Sequence, residues 1–199
     1  MRTSAALALL AALAACGTRT EEEKPKALEA PKAAALPFDP AKIVAPEDMQ
    51  ALGLTPHPHF VKTNQVVKVE KFPSGCKIQG TCEEGDLEVE IVAKSDGKQA
   101  ADWVAEELAA EKGKKEIAEG KGGGRTFAYS IQESAEVGSR GWASEFIRKE
   151  GFGTRKIAFP KGSLGVKVMW SQPAAAEGDL PPIRAKAKEW AEKILGRLP

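Results

Sequence analysis

Leu87-Glu88-Val89-Glu90-Ile91 alternates apolar and acidic residues without a break. Successive side chains on a strand point to opposite faces, so this run predicts a strand with one face in a core and the other in water. Leu164, Val166, Val168 and Trp170 repeat the pattern after the turn signal Pro160-Lys161-Gly162. One-sided strands of this kind belong to an antiparallel sheet, because strands covered on both faces read as continuous apolar runs. Upstream, Gln65 to Phe72 carries Val66, Val67 and Val69 and predicts a strand that pairs with the 87–91 run as a hairpin. Downstream, Phe127, Tyr129 and Ile131 alternate, and Trp142 to Arg148 and Thr154 to Phe159 give two further strands set off by glycines.

Helical spacing takes over in two places. Ser95-Asp96 offers an N-cap, and Ala100, Trp103, Val104 and Leu108 recur on one stripe, predicting a helix to Lys112 that continues past Gly113 towards Glu119. Pro181-Pro182 starts a second helix with Ile183, Ala187, Trp190, Ala191, Ile194 and Leu195 inward. A shorter turn is expected at Pro46-Glu47-Asp48, with Met49 and Leu52 inward and Gly53 as its stop. The order is strand, strand, helix, three or four strands, helix. It predicts an α+β fold over residues 46–199, an antiparallel sheet of about five or six strands with two amphipathic helices packed on one face. This order of elements resembles the PsbP-like fold, a likeness of architecture that implies no function.

The N-terminus carries a different signal. Met1-Arg2 is followed by an apolar run too short to span a bilayer, closed by Leu13-Ala14-Ala15-Cys16. This closing motif resembles the lipobox of bacterial lipoproteins. The resemblance implies that residues 1–15 are a signal peptide and that Cys16 is diacylated and becomes the new N-terminus, anchoring the protein in a membrane. By the same resemblance, Gly17 after the lipidated Cys implies the outer membrane of the envelope rather than the inner one. Residues 16–45 read as a disordered tether, rich in Pro, Ala and charge and poor in apolar bulk.

Composition sets limits on function. The chain holds 29 basic and 28 acidic residues, a balance that argues against nucleic-acid binding, which needs a basic excess to neutralise phosphates. The charge is unevenly spread, acidic over 64–119 and basic from 120 onward. With Cys16 acylated, Cys76 and Cys82 remain as an even pair. In an oxidising compartment they are expected to form a disulfide pinning an irregular hairpin tip. A zinc site would need a second thiol pair, and a redox pair would have two residues between its cysteines.

Chemistry-bearing constellations are few. His57 and His59 are a His-x-His pair, the weak candidate for a metal, but Pro56 and Pro58 turn the two rings apart and no third ligand stands nearby. Gly120-Lys121-Gly122-Gly123-Gly124 precedes a strand rather than a helix, so it reads as a connector and not as a phosphate loop. No Gly-x-Ser-x-Gly elbow is present. Arg140, Arg148, Lys149, Arg155, Lys156 and Lys161 crowd into adjacent strands and are the candidate surface for an anionic partner, whether lipid headgroup, envelope polysaccharide or acidic protein. The sequence thus predicts a lipid-anchored, non-catalytic binding or assembly module of the envelope, requiring no cofactor. Two rivals stand beside it. One is a small-ligand carrier with a pocket lined by Trp103, Trp170 and Trp190; the other is an envelope hydrolase using carboxylates that no motif reveals.

Overall fold

The computed structural model of the 199-residue chain describes residues 36–62, 66–119, 126–134 and 136–199. Cys16, the expected signal segment, most of the expected tether and the glycine connector lie outside them. The chain enters through a 3-10 turn at Pro40–Lys42 and two short helices, α1 (Pro46–Ala51) and α2 (Pro58–Lys62). Strands β1 (Val67–Phe72), β2 (Gly75–Thr81) and β3 (Asp86–Ala93) follow, then helix α3 (Gly97–Glu119). Four more strands, β4 (Thr126–Gln132), β5 (Trp142–Arg148), β6 (Phe152–Lys161) and β7 (Leu164–Pro173), lead to helix α4 (Leu180–Arg197).

All strands pair antiparallel in one sheet of order β1-β2-β3-β7-β6-β5-β4. Two meanders meet at the centre, where β3 pairs with β7, and α3 carries the chain from the middle of the sheet to its far edge. The α+β class and the antiparallel sheet are as the alternation predicts. The sheet has seven strands rather than five or six. The extra one, β2, occupies the segment expected to be a disulfide-pinned loop.

That strand removes the expected disulfide. Cys76 and Cys82 are free thiols, both buried. Six residues of extended chain separate their backbones by about 20 Å, whereas a disulfide needs Cα atoms within about 7 Å. Cys76 pairs with Lys71 on one side and Ile91 on the other, so β2 cannot fold back on itself. Burial pushes both thiols up to about 11, which leaves them unreactive. In the Cys16→Ser variant, an aromatic disulfide reagent should therefore titrate two thiols in denaturant and almost none in the folded protein. A mass two hydrogens lighter, with no titratable thiol after unfolding, would contradict this.

The helices lie on opposite faces of the sheet, not on one. Along β7, Leu164, Val166, Val168 and Trp170 pack with Ile183, Ala187 and Trp190 of α4. The intervening Gly165 sits under Trp103 of α3, so close that a Cβ there would fall inside the indole ring. Side chains alternate across a strand, so α4 and α3 cover different faces. The α4 face holds the larger core. It takes in Leu87, Val89 and Ile91 of β3, Cys76 and Ile78 of β2, and the N-terminal Ile43, Val44 and Met49. The folded unit therefore begins before residue 46, since Ile43 and Val44 are fully packed. The α1 turn forms as expected, with Met49 buried, Leu52 against the core and Gly53 at φ 71° ending it. On the α3 face a smaller cluster joins Val92, Trp103, Val104, Trp142 and Ala158. There Trp142 Nε1 donates to the Val104 carbonyl at 2.9 Å. Asp96 caps α3 by accepting from the Gln99 amide at 2.8 Å.

Candidate functional site

The six basic residues singled out in the sequence do not form one surface. Arg140 precedes β5 and Lys161 ends β6, at one end of the sheet; Arg148 and Lys149 lie at the other end, where β5 turns into β6. Arg155 and Lys156 are neighbours on β6 and point to opposite faces. Both are taken up inside the protein rather than offered to a partner.

Arg155 is buried on the α4 face. It bonds Glu145 at 3.2 Å and Glu136 at 2.9 Å, and Arg184 of α4 reaches the same Glu145 with Nε at 2.6 Å. Burial pushes Glu145 up, but the Arg184 bond and the two guanidinium charges outweigh it and hold its carboxyl below the usual range.

Lys156 points the other way, under α3. Its Nζ lies 2.8 Å from both carboxylate oxygens of Glu111. Glu111 is 2 % exposed and also accepts from Tyr129 Oη and Ser144 Oγ, each at 2.7 Å. Burial alone would raise its pKa, yet the Lys156 bond and charge, with the two hydroxyls, bring it below the ordinary value. Tyr129 is correspondingly pushed up by burial and by the carboxylate it donates to. A bulge puts Tyr129 there. Phe127 pairs with Ile147 and Ser130 with Glu145, one residue out of step. At the bulge Ala128 takes φ 53°, and it is the one non-glycine residue among those described with φ in the left-handed region. The extra residue turns Tyr129 towards α3 while Ser130 Oγ donates to Glu145 on the opposite face at 3.1 Å. Lys167 of β7 completes this layer, bonded to Glu107 of α3 at 2.6 Å and to Glu90 of β3 at 2.7 Å.

These contacts trace the path of α3. Trp103 meets β7, Glu107 meets Lys167, and Glu111 reaches β6, β5 and β4 in turn. The helix therefore crosses the sheet obliquely. It leaves β1, β2 and the Asp86–Glu88 end of β3 open on this face. A groove of about 520 Å³ lies in that opening. Gln79, Thr81, Glu88, Met169 and Ser171 line it, with Phe60 and Lys68 on the β1 side and Arg148 and Phe152 on the β5–β6 side. Thr154 lies beside Ser171, their hydroxyls 2.9 Å apart. A smaller cavity of about 180 Å³ next to Glu111 and Lys156 shares Glu88, Arg148 and Met169 with the groove, so these three form a saddle between the two spaces.

Charge in the groove is unevenly satisfied. Glu88 is paired with Lys77 at 2.8 Å. Lys68 and Arg148 are exposed and have no ion pair among the described residues; the Arg148 guanidinium rests 5.7 Å from the Phe146 ring centroid. Arg148 thus meets this groove with its charge uncommitted, while Arg140 lines a separate cavity of about 260 Å³ beside α3. Lys68 and Phe60 were not singled out in the sequence, where nothing distinguishes them from ordinary surface and core residues; Phe152, which the sequence leaves as either core or an interface anchor, is exposed.

The remaining sequence candidates have other roles. His57 Nδ1 accepts from the His59 amide at 3.3 Å, so the first histidine caps the helical turn α2. Among the described residues no three His, Cys, Asp or Glu side chains converge as a metal site would require. Trp170 and Trp190 are packed solid in the α4-face core and Trp103 lies on the other face, so no pocket unites the three. No helix among the described residues is long and apolar enough to cross a membrane. Comparison with protein-family models, with curated proteins and with solved structures yields no match for this chain.

Proposed function

We propose that the chain is a lipid-anchored binding module of a bacterial envelope, without catalytic machinery, whose ligand site is the open groove on the α3 face of the sheet. The observation that carries this reading is the concave space of about 520 Å³ flanked by two uncommitted cations, Lys68 and Arg148. Its size suits a small ligand or a short segment of a larger one. The groove takes the place of the tryptophan-lined pocket that a ligand carrier was expected to have. The buried carboxylates with displaced acidities, Asp48, Glu111 and Glu145, are each fixed in ion pairs that join two elements, and the exposed Glu84 and Asp179 are held by backbone amides. Groups so committed hold layers together; a general acid or base needs a proton free to move. Anchoring rests on Leu13-Ala14-Ala15-Cys16, with two acyl chains needed because one alone binds a membrane only marginally.

Expressed in a Gram-negative host and fractionated, the wild-type chain should pellet with membranes and carry acyl mass on its N-terminal peptide. Cys16→Ser should appear in the soluble fraction without that mass. Unchanged membrane fractionation of Cys16→Ser would remove the anchor from the reading.

A further inference from the structure

We propose that the groove binds a short acidic saccharide, one carrying uronate or phosphate groups on a hydroxyl-rich chain; this rests on the groove being the ligand site. The two free cations ask for negative charge. Lys68 is on β1 and Arg148 on β5, five strand positions apart, which puts their backbones about 24 Å apart. No single carboxylate or phosphate touches both, so the ligand is elongated and carries more than one anionic group.

The lining between the cations excludes a bare polyanion. Asp86 is exposed at the start of β3, and Glu88 stands on the saddle beside Arg148. Glu88 shares its charge with Lys77, whereas Asp86 has no ion pair among the described residues and repels like charge; both carboxylates accept hydrogen bonds, so the middle of the ligand must present donors. Sugar hydroxyls do this, and they also accept from the Gln79 amide and the Thr81 hydroxyl, which line the same stretch. The ends supply flat apolar surface. Phe152 is 42 % exposed and lines the groove beside Arg148, with Phe60 at the opposite end. A sugar ring has one such face of C–H groups, and an exposed aromatic ring at a groove's edge is a natural platform for it. An acidic peptide would satisfy Lys68 and Arg148 but brings one backbone N–H per residue to Asp86 and Glu88, where each sugar ring brings two hydroxyls.

The test is calorimetric titration of the full-length chain in an uncharged detergent. The probes are trigalacturonate, the neutral trisaccharide maltotriose and the acidic tripeptide triglutamate. Trigalacturonate should bind at least about tenfold more tightly than either of the others, the scale of losing charge-assisted hydrogen bonds. Its affinity should fall as salt is raised. Arg148→Ala and Phe152→Ala should each weaken it about tenfold, with an unchanged thermal midpoint because both side chains are exposed. Triglutamate binding as tightly as trigalacturonate, and lost in Arg148→Ala, would overturn the saccharide while leaving the groove as the site. Trigalacturonate affinity unchanged in Arg148→Ala, or no binding of any probe, would overturn the saccharide and the groove together.

Discussion

Glu111→Ala is expected to lower the unfolding free energy by about 3–5 kcal/mol, the cost of leaving a buried charge without its partner. The side chain of Lys156 is 13 % exposed, so removing the carboxylate strands an ammonium in a space that water reaches poorly. Ser144 Oγ and Tyr129 Oη lose their acceptor in the same step, and an unsatisfied buried donor carries its own penalty. In a domain of this size the loss should appear as a drop of about 10 °C in thermal midpoint. Glu111→Gln should fall between, since an amide still accepts from the hydroxyls but does not neutralise Lys156. The double variant Glu111→Leu, Lys156→Met should recover most of the loss, because a well-packed apolar pair often replaces a buried ion pair at little cost. A loss below about 1 kcal/mol in Glu111→Ala would place the pair among surface salt bridges and end its role as the bolt that docks α3.

That bolt was partly visible in the sequence. Ala100, Val104 and Leu108 define the buried stripe of α3, and Glu107 and Glu111 continue it at helical spacing where apolar residues would be expected. An acid on the apolar stripe of a long helix signals a buried partner, but the sequence does not say which lysine answers it. Lys156 does so only because β6 lies between β5 and β7 under the helix.

Other parts of the fold had readable cues that local features masked. Cys76-Lys77-Ile78-Gln79-Gly80-Thr81 alternates apolar or small with polar, as strand β2 requires. Cys76 and Gly80 in this run, with Gly75 and Cys82 flanking it, made a loop the simpler expectation. The placement of helices on both faces had its cue as well. Trp142-Ala143 and Phe146-Ile147 are adjacent apolar pairs, and β5 is buried on both sides along nearly its whole length. Strands that lose alternation are covered twice, which one layer of helices cannot achieve. Strict alternation in β3 pointed to one wet face, and that reading holds where it matters. Glu88 and Glu90 lie on the face that α3 only partly covers. The groove itself was not legible. Lys68 and Arg148 are remote in sequence and become its two flanks only through the strand order β1-β2-β3-β7-β6-β5.

The second large effect concerns acid. Asp48 of α1 is buried between two cations of α4, with Arg197 Nη2 at 2.7 Å and Lys193 Nζ at 3.1 Å. It also accepts from the Ala45 amide at 2.8 Å, tying the start of α1 to the C-terminal helix. Burial pushes the carboxyl up, but the Arg197, Ala45 and Lys193 bonds together bring it down from 3.8 to about 2. A carboxylate whose pKa is lower in the folded state stabilises that state fully above its unfolded value and loses the contribution as pH falls through the folded one. For Asp48 the window is therefore between about pH 4 and pH 2, and the contribution above it is about 2 kcal/mol. Glu111 and Glu145 are shifted in the same direction and should deepen the acid loss. Unfolding free energy measured in urea should be flat from pH 5 to 7 and fall steeply below 4. Asp48→Asn should start about 2 kcal/mol lower at pH 7 and lose less on acidification, so that the two curves converge near pH 2. Arg197 also donates to the Ile43 carbonyl at 2.9 Å, so the variant keeps part of the α4 contact and should remain folded at neutral pH. Parallel curves for the two proteins across the whole range would show that Asp48 titrates alike in the folded and unfolded chain. The link between α1 and α4 would then have to come from the shared apolar core and from the Lys186 bond to the Leu52 carbonyl.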